Sequence, residues 1–121
     1  MPTLFDALQI GDLTLQNRIV MAPLTRMRAF NARSPGTIHA RHYSQRATAG
    51  LIITEATSVS PQGVGYPNTP GLWSEDQVAA WSDVTAAVHD ANGLPAIRSR
   101  RDGFERHVCL FRYRQRVHVC A

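Results

Sequence analysis

Thr25 and Arg26 are the first polar side chains after a short apolar run, and their placement suggests chemistry. The run, residues 19–22, ends at Pro23, which cannot donate to a sheet and so marks the end of a strand. A run this short, bounded by turn residues, is typical of a strand buried on both faces. Because parallel α/β folds carry their active sites just past the carboxyl ends of strands, a hydroxyl and a guanidinium here indicate a site.

Glu55 follows a second apolar run, residues 51–54. If the two runs are parallel strands joined by a helical crossover, both end at the same edge of one sheet. This arrangement would bring Thr25 close to Glu55 and Ala56. Glu55 could act in catalysis or could form structural hydrogen bonds, and we favour the structural role.

The crossover helix is predicted over residues 36–48. Ser34 would cap its first turn and Pro35 would take the first helical position. Four residues would share one side of this helix: Ile38, His42, Gln45 and Ala49.

Two further elements flank the predicted strand–helix–strand unit. A β-hairpin is predicted within residues 4–15, turning at Ile10-Gly11-Asp12. After a loop over residues 58–71, Ser74 and Gln77 form a capping box. The helix that follows has an apolar face and ends at Asn92-Gly93; that face consists of Val78, Trp81, Val84 and Val88.

The basic charge of the chain lies in its last segment. Residues 1–93 carry six Arg and seven acidic residues, whereas residues 94–121 carry seven Arg and two acidic residues. A third strand is due near residue 94, but arginines interrupt every apolar stretch from there on. We therefore predict one domain over residues 1–93 and an irregular, Arg-rich tail over residues 94–121. Since the folded part is not basic, its charge does not indicate nucleic-acid binding.

Several classes of protein are not indicated. No apolar run of transmembrane length and no signal peptide is present, so we expect a cytoplasmic protein without a membrane partner. Cys109 and Cys120 define no metal spacing. The histidines His39, His42 and His89 also lack ligand spacing, and we predict no metal site.

Several motifs, in one order, resemble the opening of the Old Yellow Enzyme family, which comprises FMN-dependent NADH:flavin oxidoreductases and alkene reductases. The resemblance covers residues 4–93, with His42-Tyr43 where the family commonly has two tyrosines. It implies the first two βα units of a TIM (β/α)₈ barrel, truncated and preceded by the hairpin. The motifs are residues 15–26, 43–47, 49–57, 63–66 and 69–74.

The resemblance also implies a flavin site. Pro23, Leu24, Thr25 and Ala56 match positions that contact FMN, with NADH or NADPH as reductant. Thr25 and Tyr66 match positions that face the substrate, a small activated alkene. The family's proton-donating tyrosine, its His/His or His/Asn pair and its phosphate-binding loops have no counterpart here, so no catalytic residue is predicted and FMN should bind weakly if at all.

Three functions follow in order of preference. The first is a flavin oxidoreductase of this family, present as an N-terminal fragment. The second is a catalytically silent relic of such an enzyme. The third is nucleic-acid binding through the arginines of residues 94–121. The sudden change of composition after residue 93 also suggests the hypothesis that a reading-frame change produced the tail.

Overall fold

The computed structural model describes residues 1–100 and 106–110, which form a partial α/β sheet with two helices. Its hydrophobic core joins side chains of the first helix, the second strand of the main sheet and the second helix, including Tyr43, Ile52 and Trp81. The elements in chain order are β1 (Leu8–Ile10), β2 (Leu13–Leu15), β3 (Val20–Met21), α1 (Thr37–Ser44), β4 (Leu51–Ile53), β5 (Thr57–Ser58), a 3₁₀ turn (Pro61–Gly63), α2 (Glu75–Asp90), β6 (Pro95–Arg100) and β7 (Arg106–Leu110).

The predicted hairpin is confirmed. Strands β1 and β2 pair antiparallel, with Leu8 opposite Leu15. Gly11 occupies the turn at a φ of +55°, a conformation that glycine adopts without steric cost. The Gln16 side chain after β2 donates to the carbonyl oxygens of Ala47 (3.0 Å) and Ala49 (3.2 Å). The hairpin is thereby attached to the segment that leads into β4.

The main sheet contains the predicted parallel pair. Strands β3 and β4 run parallel, with Val20 opposite Leu51, and β4 runs parallel to β6. Strand β5 also pairs parallel with β6, while β7 pairs antiparallel with β6 along Ala96–Arg100. Because β7 occupies one edge of β6, β4 and β5 share its other edge.

A bulge separates β4 from β5. Ile53 pairs with Ala96 and Thr57 pairs with Ser99. An advance of four residues from β4 to β5 therefore matches an advance of three residues along β6. The Thr54 hydroxyl accepts a hydrogen bond from the backbone N–H of Arg98 at 3.2 Å, which replaces a bond of the ladder. Bulges of this kind redirect the side chains next to them, and this one contains Glu55.

Strand β3 is not buried on both faces, contrary to the prediction. Ile19 is 40% exposed and Val20 is 45% exposed. Within the described residues β3 has a neighbour on one side only, namely β4. An apolar run therefore became an edge strand, and its sequence alone could not indicate which neighbours it would have.

Helix α1 is shorter than predicted and turns a different side inward. It begins after Gly36, not Ser34, because the Gly36 N–H is satisfied by Nδ1 of His39 at 3.1 Å. The buried residues of the helix are His39 and Tyr43, whereas Ile38 is 49% exposed. The predicted stripe is therefore wrong, since the inward face is set by contacts with α2 and β4.

Helix α2 matches the prediction closely. The Ser74 hydroxyl accepts from the Gln77 N–H at 3.3 Å, and the Gln77 side-chain oxygen accepts from the Ser74 N–H at 3.3 Å. Trp81, Val84 and Val88 are buried, as their spacing predicted.

The prediction of an irregular tail is wrong for residues 95–100, which form β6, and for residues 106–110, which form β7. Ala96 and Ile97 are fully buried, and the backbone of this segment continues the ladder from β4. A short apolar segment at its start was therefore sufficient for β6 to form. The arginines that follow it made the strand difficult to predict from the sequence. The rest of the predicted tail lies outside the described residues, apart from β7. No helix in the described part is long and apolar enough to cross a membrane.

Candidate functional site at the strand ends

The carboxyl ends of β3 and β4 meet through the carboxylate of Glu55, whose side chain is completely buried. One oxygen, Oε2, accepts from the backbone N–H of Arg26 at 3.2 Å. The other, Oε1, accepts from the Tyr43 hydroxyl at 3.3 Å. The Tyr43 hydroxyl in turn accepts from the Glu55 backbone N–H at 3.0 Å. The structural hydrogen bonds expected of Glu55 are thus present.

Two more side chains face the same carboxylate oxygen. Nε of Arg26 and Nε2 of His39 each lie 3.7 Å from Oε1 of Glu55. His39 accepts a hydrogen bond at Nδ1 from Gly36, so in the neutral ring the proton is on Nε2 and points toward Glu55. The Arg26 guanidinium also lies 5.8 Å from the ring centroid of Tyr43, within the range of a cation–π contact. We call Arg26, His39, Tyr43 and Glu55 the Glu55 cluster.

Burial decides the protonation of the cluster. It raises the pKa of Glu55, and the hydrogen bond and positive charge of Arg26 oppose this rise. Burial, with Arg26 next in effect, lowers the pKa of His39 to about 4. The pKa of the Tyr43 hydroxyl is raised, first by burial and then by the charge of Glu55. At neutral pH His39 and Tyr43 are therefore both neutral, and of the two it is the Tyr43 hydroxyl that donates to Glu55 at hydrogen-bond distance.

The predicted flavin-contacting residues lie on either side of the bond between Arg26 and Glu55. Thr25 precedes Arg26 and is half-buried, and Leu24 is 67% exposed. Ala56 follows Glu55 in the bulge and is half-buried. The hydroxyl of Thr25 makes no hydrogen bond to any described residue. The structure thus brings the segments of Thr25 and Ala56 to one edge, as the strand order predicted.

Tyr66, the predicted substrate-facing residue, lies in the loop after β5. Its side chain is 56% exposed and is not among the contacts of the Glu55 cluster. Its carbonyl oxygen accepts from Arg33 at 3.2 Å and from the Thr69 hydroxyl at 3.1 Å. The Ala29 N–H, in the loop after β3, donates to the carbonyl oxygen of Asn68 in the loop of Tyr66 at 2.9 Å. Tyr66 is therefore attached to the loop after β3 through its backbone.

A groove of about 410 Å³ opens at the opposite end of the sheet and includes none of the predicted site residues. Its lining includes Gly50 and Leu94, at the amino ends of β4 and β6, together with residues of the hairpin and the end of α2. The candidate site is therefore not this groove but the exposed edge of the sheet at the carboxyl ends of β3 and β4. No cluster of three or more metal-binding side chains occurs in the described part of the chain.

Sequence reasoning did not find the roles of His39 and Tyr43. For His39, the sequence predicts only that it is not a metal ligand. The available signal was their spacing: residues four apart on a helix lie on one face, and His39 and Tyr43 form the buried face of α1. This face of α1 contacts Glu55, a residue that comes close to it only in the folded chain.

Comparisons with known proteins converge on one family. The sequence profile described as the NADH:flavin oxidoreductase / NADH oxidase family matches residues 3–108. The chain is 50% identical over 91 residues to the NADP-dependent oxidoreductase lnbE of Aspergillus flavus, covering 74% of this chain and 24% of that protein.

Two solved structures are similar in both fold and sequence. Morphinone reductase in complex with tetrahydroNAD gives a TM-score of 0.82 at 48% identity, covering 85% of this chain and 28% of the other. The old yellow enzyme homologue from Zymomonas mobilis gives a TM-score of 0.80 at 52% identity, covering 84% and 29%. The chain thus spans about a quarter of the length of the curated relative.

Proposed function

The chain belongs to the NADH:flavin oxidoreductase / NADH oxidase family, and we propose that its strand ends form one wall of an FMN site in an NAD(P)H-dependent reductase of activated alkenes. The resemblance to Old Yellow Enzymes is confirmed, and the cofactors of this family are FMN with NADH or NADPH as reductant. The solved relatives are TIM-barrel enzymes. We propose that this chain supplies the first βα units of such a barrel.

One observation carries the proposal. The segment of Pro23, Leu24 and Thr25 and the bulge at Ala56 lie at the same edge of the sheet, joined by the Arg26–Glu55 hydrogen bond of 3.2 Å. Ligands of parallel α/β folds bind at this edge. The groove at the other end of the sheet lies instead at the amino ends of β4 and β6.

The residues present fit a flavin on one side. A flavin ring needs a flat apolar surface and a few polar groups to orient it. Pro23 and Leu24 offer apolar surface at the edge, Leu24 with 67% of its surface exposed. Thr25 adds a hydroxyl that no described residue uses. The phosphate of FMN has no evident partner among these residues, so we expect weak binding by this chain alone.

Each residue would have a limited part in the reaction. The chemistry that a bound FMN would supply is hydride transfer from NADH or NADPH to the β-carbon of an activated alkene, which also requires a proton at the α-carbon. Thr25 would donate or accept a hydrogen bond at the edge of the ring and so adjust its electron affinity. Pro23, Leu24 and Ala56 would exclude water from one part of the ring. Tyr66 would contact the substrate from the loop after β5.

A titration of the 121-residue chain with FMN tests the proposal, followed by flavin fluorescence and absorbance. The Thr25→Val variant removes the hydroxyl and keeps the shape. We expect weaker binding by about threefold or more, the effect of one neutral hydrogen bond, and a shifted flavin absorption band. Thr48→Val is the matched control, because Thr48 is exposed and lies in the segment before β4. Absence of FMN binding at millimolar concentration, or equal effects of the two variants, would contradict the proposal.

A catalytically silent relic is the second candidate, and the exposed apolar residues favour it. Leu24 is 67% exposed, Phe30 68% and Val20 45%, all on or just after the edge strand β3. Unpaired edges with apolar side chains promote association. This candidate predicts concentration-dependent oligomers and a broad thermal transition; a sharp transition from a monomer would count against it.

A further inference from the structure

We propose that Glu55 is a positioning residue that fixes the proposed flavin-contacting segment, residues 23–25, by holding the backbone of Arg26. The proposal rests on the flavin site described above. It adds a residue to that site which does not itself touch the cofactor. Its basis is the hydrogen bond from the Arg26 N–H to Oε2 of Glu55, 3.2 Å long.

The segment that Glu55 would fix has little other support. Residues 22–29 have no regular secondary structure, and Met27 has a φ of +55°, which is costly for a non-glycine residue. From Pro23 to Arg28 the described residues give no other backbone hydrogen bond besides that of Arg26; the next is Ala29 N–H to Asn68 at 2.9 Å. The Arg26 bond is therefore the attachment nearest to Thr25.

Glu55 is itself held firmly, as a positioning group must be. Its side chain is completely buried, and the bulge between β4 and β5 directs it toward α1. The Tyr43 hydroxyl both donates to Oε1 and accepts from the Glu55 N–H. This two-way contact leaves Oε2 directed at Arg26. A charge-assisted bond to a backbone N–H is stronger than a neutral one, so the carboxylate suits this task.

The two carboxylate oxygens provide a matched pair of variants. Glu55→Leu removes both acceptors with little change of volume, whereas Tyr43→Phe removes the contact at Oε1 and the acceptor of the Glu55 N–H but leaves Oε2 in place. Both should lower stability, because both disturb the buried cluster. Only Glu55→Leu should release Arg26. In Glu55→Gln the amide oxygen can still accept from the Arg26 N–H while its NH₂ donates to the Tyr43 hydroxyl, so this conservative variant should restore the attachment.

Amide hydrogen exchange of the full chain, read residue by residue by NMR, tests the proposal without any cofactor. We expect the Arg26 amide to be protected in the parent chain and in Tyr43→Phe and Glu55→Gln. In Glu55→Leu its exchange should be about tenfold faster or more, as for the loss of one charged hydrogen bond. Equal acceleration in Tyr43→Phe, or no acceleration in Glu55→Leu, would overturn it. If Glu55→Leu does not fold, amide exchange in the parent chain tests the proposal, because an unprotected Arg26 amide there would refute it.

An FMN titration of the same variants separates this inference from the proposed function. Where FMN binds, Glu55→Leu should weaken binding by about tenfold, and Glu55→Gln should recover most of that loss. If the parent chain does not bind FMN, the flavin site of this chain is refuted. The exchange data would still show whether Glu55 fixes residues 23–25.

Discussion

Asn17 and Gly50 bind each other at the amino ends of β3 and β4, where the Gly50 N–H donates to Oδ1 of Asn17 at 2.8 Å. A Cβ on Gly50 would collide with the backbone carbonyl of Asn17. This position therefore requires glycine because another backbone passes against it, even though its φ is not positive. The contact joins the end of the hairpin segment to the start of the sheet.

Gly50→Ala should consequently destabilise the chain by about 2 kcal/mol or more, the range of overpacking with a backbone shift. Urea unfolding followed by tryptophan fluorescence would measure it. Gly36→Ala is the control, because a Cβ at Gly36 would meet no atom within 4 Å. We expect that control to lose under about 1 kcal/mol, the cost of alanine at a helix N-cap. Similar losses in the two variants would contradict the close approach at Gly50.

The cap of α2 provides a second test. Ser74→Ala removes the acceptor of the Gln77 N–H and should cost about 1 kcal/mol. Ser82→Ala on the same helix removes a hydroxyl whose hydrogen bond, among the described residues, goes to the Val78 carbonyl on an exposed turn, and alanine favours helix at such a position. Unfolding midpoints should fall for Ser74→Ala and stay or rise slightly for Ser82→Ala.

Arg33 joins the loop of Tyr66 to the loop after β3. One guanidinium nitrogen donates to the carbonyl oxygens of Tyr66 and Thr69 and to the Thr69 hydroxyl, each at 3.2 Å. Arg33→Lys keeps the charge but loses the planar donor geometry. We expect faster proteolysis within residues 58–71 and a loss of about 1 kcal/mol. Arg41→Lys is the control, because Arg41 is exposed on α1; equal proteolysis of both variants would refute the role of Arg33.

The buried histidine should make the fold sensitive to acid. The pKa of His39 is about 4 in the folded chain, below its ordinary 6.5, mainly because it is buried. The unfolded chain therefore binds the proton first as pH falls from 6.5 toward 4, and the free energy of unfolding decreases over this window. One proton corresponds to about 1.4 kcal/mol per pH unit. His42 acts in the same direction, with its pKa also lowered to about 4, though it is partly exposed.

His39→Gln isolates this contribution. A glutamine there can accept from the Gly36 N–H, as Nδ1 of the neutral imidazole does, but it does not titrate. The slope of unfolding free energy against pH should therefore flatten by up to one proton between pH 6.5 and 4. Glu55 changes the stability with pH in the opposite direction. Because its pKa is raised in the folded chain, Glu55 stabilises the fold at low pH, and this stabilisation is lost as the pH rises through the pKa of the folded state. An unchanged slope in His39→Gln would contradict the buried, neutral state of His39.

How far the sequence could predict the fold depended on the range of the interactions involved. Helix α2 was predicted correctly because its cap and apolar face lie within one segment, from Ser74 to Val88. The start of α1 was missed because His39 rather than Ser34 satisfies its first turn. Strand β6 was missed because its support comes from β4 and from Thr54, about forty residues earlier in the chain.

The sequence by itself determined the family, the hairpin, the second helix and the meeting of two strand ends, since each depends on local patterns or on motifs in a fixed order. Only the tertiary structure decided what stands at those ends. Arg26, His39, Tyr43 and Glu55 come from three separate segments. Their proximity gives them their contacts, and burial shifts the pKa of His39, Tyr43 and Glu55. A buried carboxylate needs donors from wherever the fold supplies them, and that is information no single stretch of the chain contains.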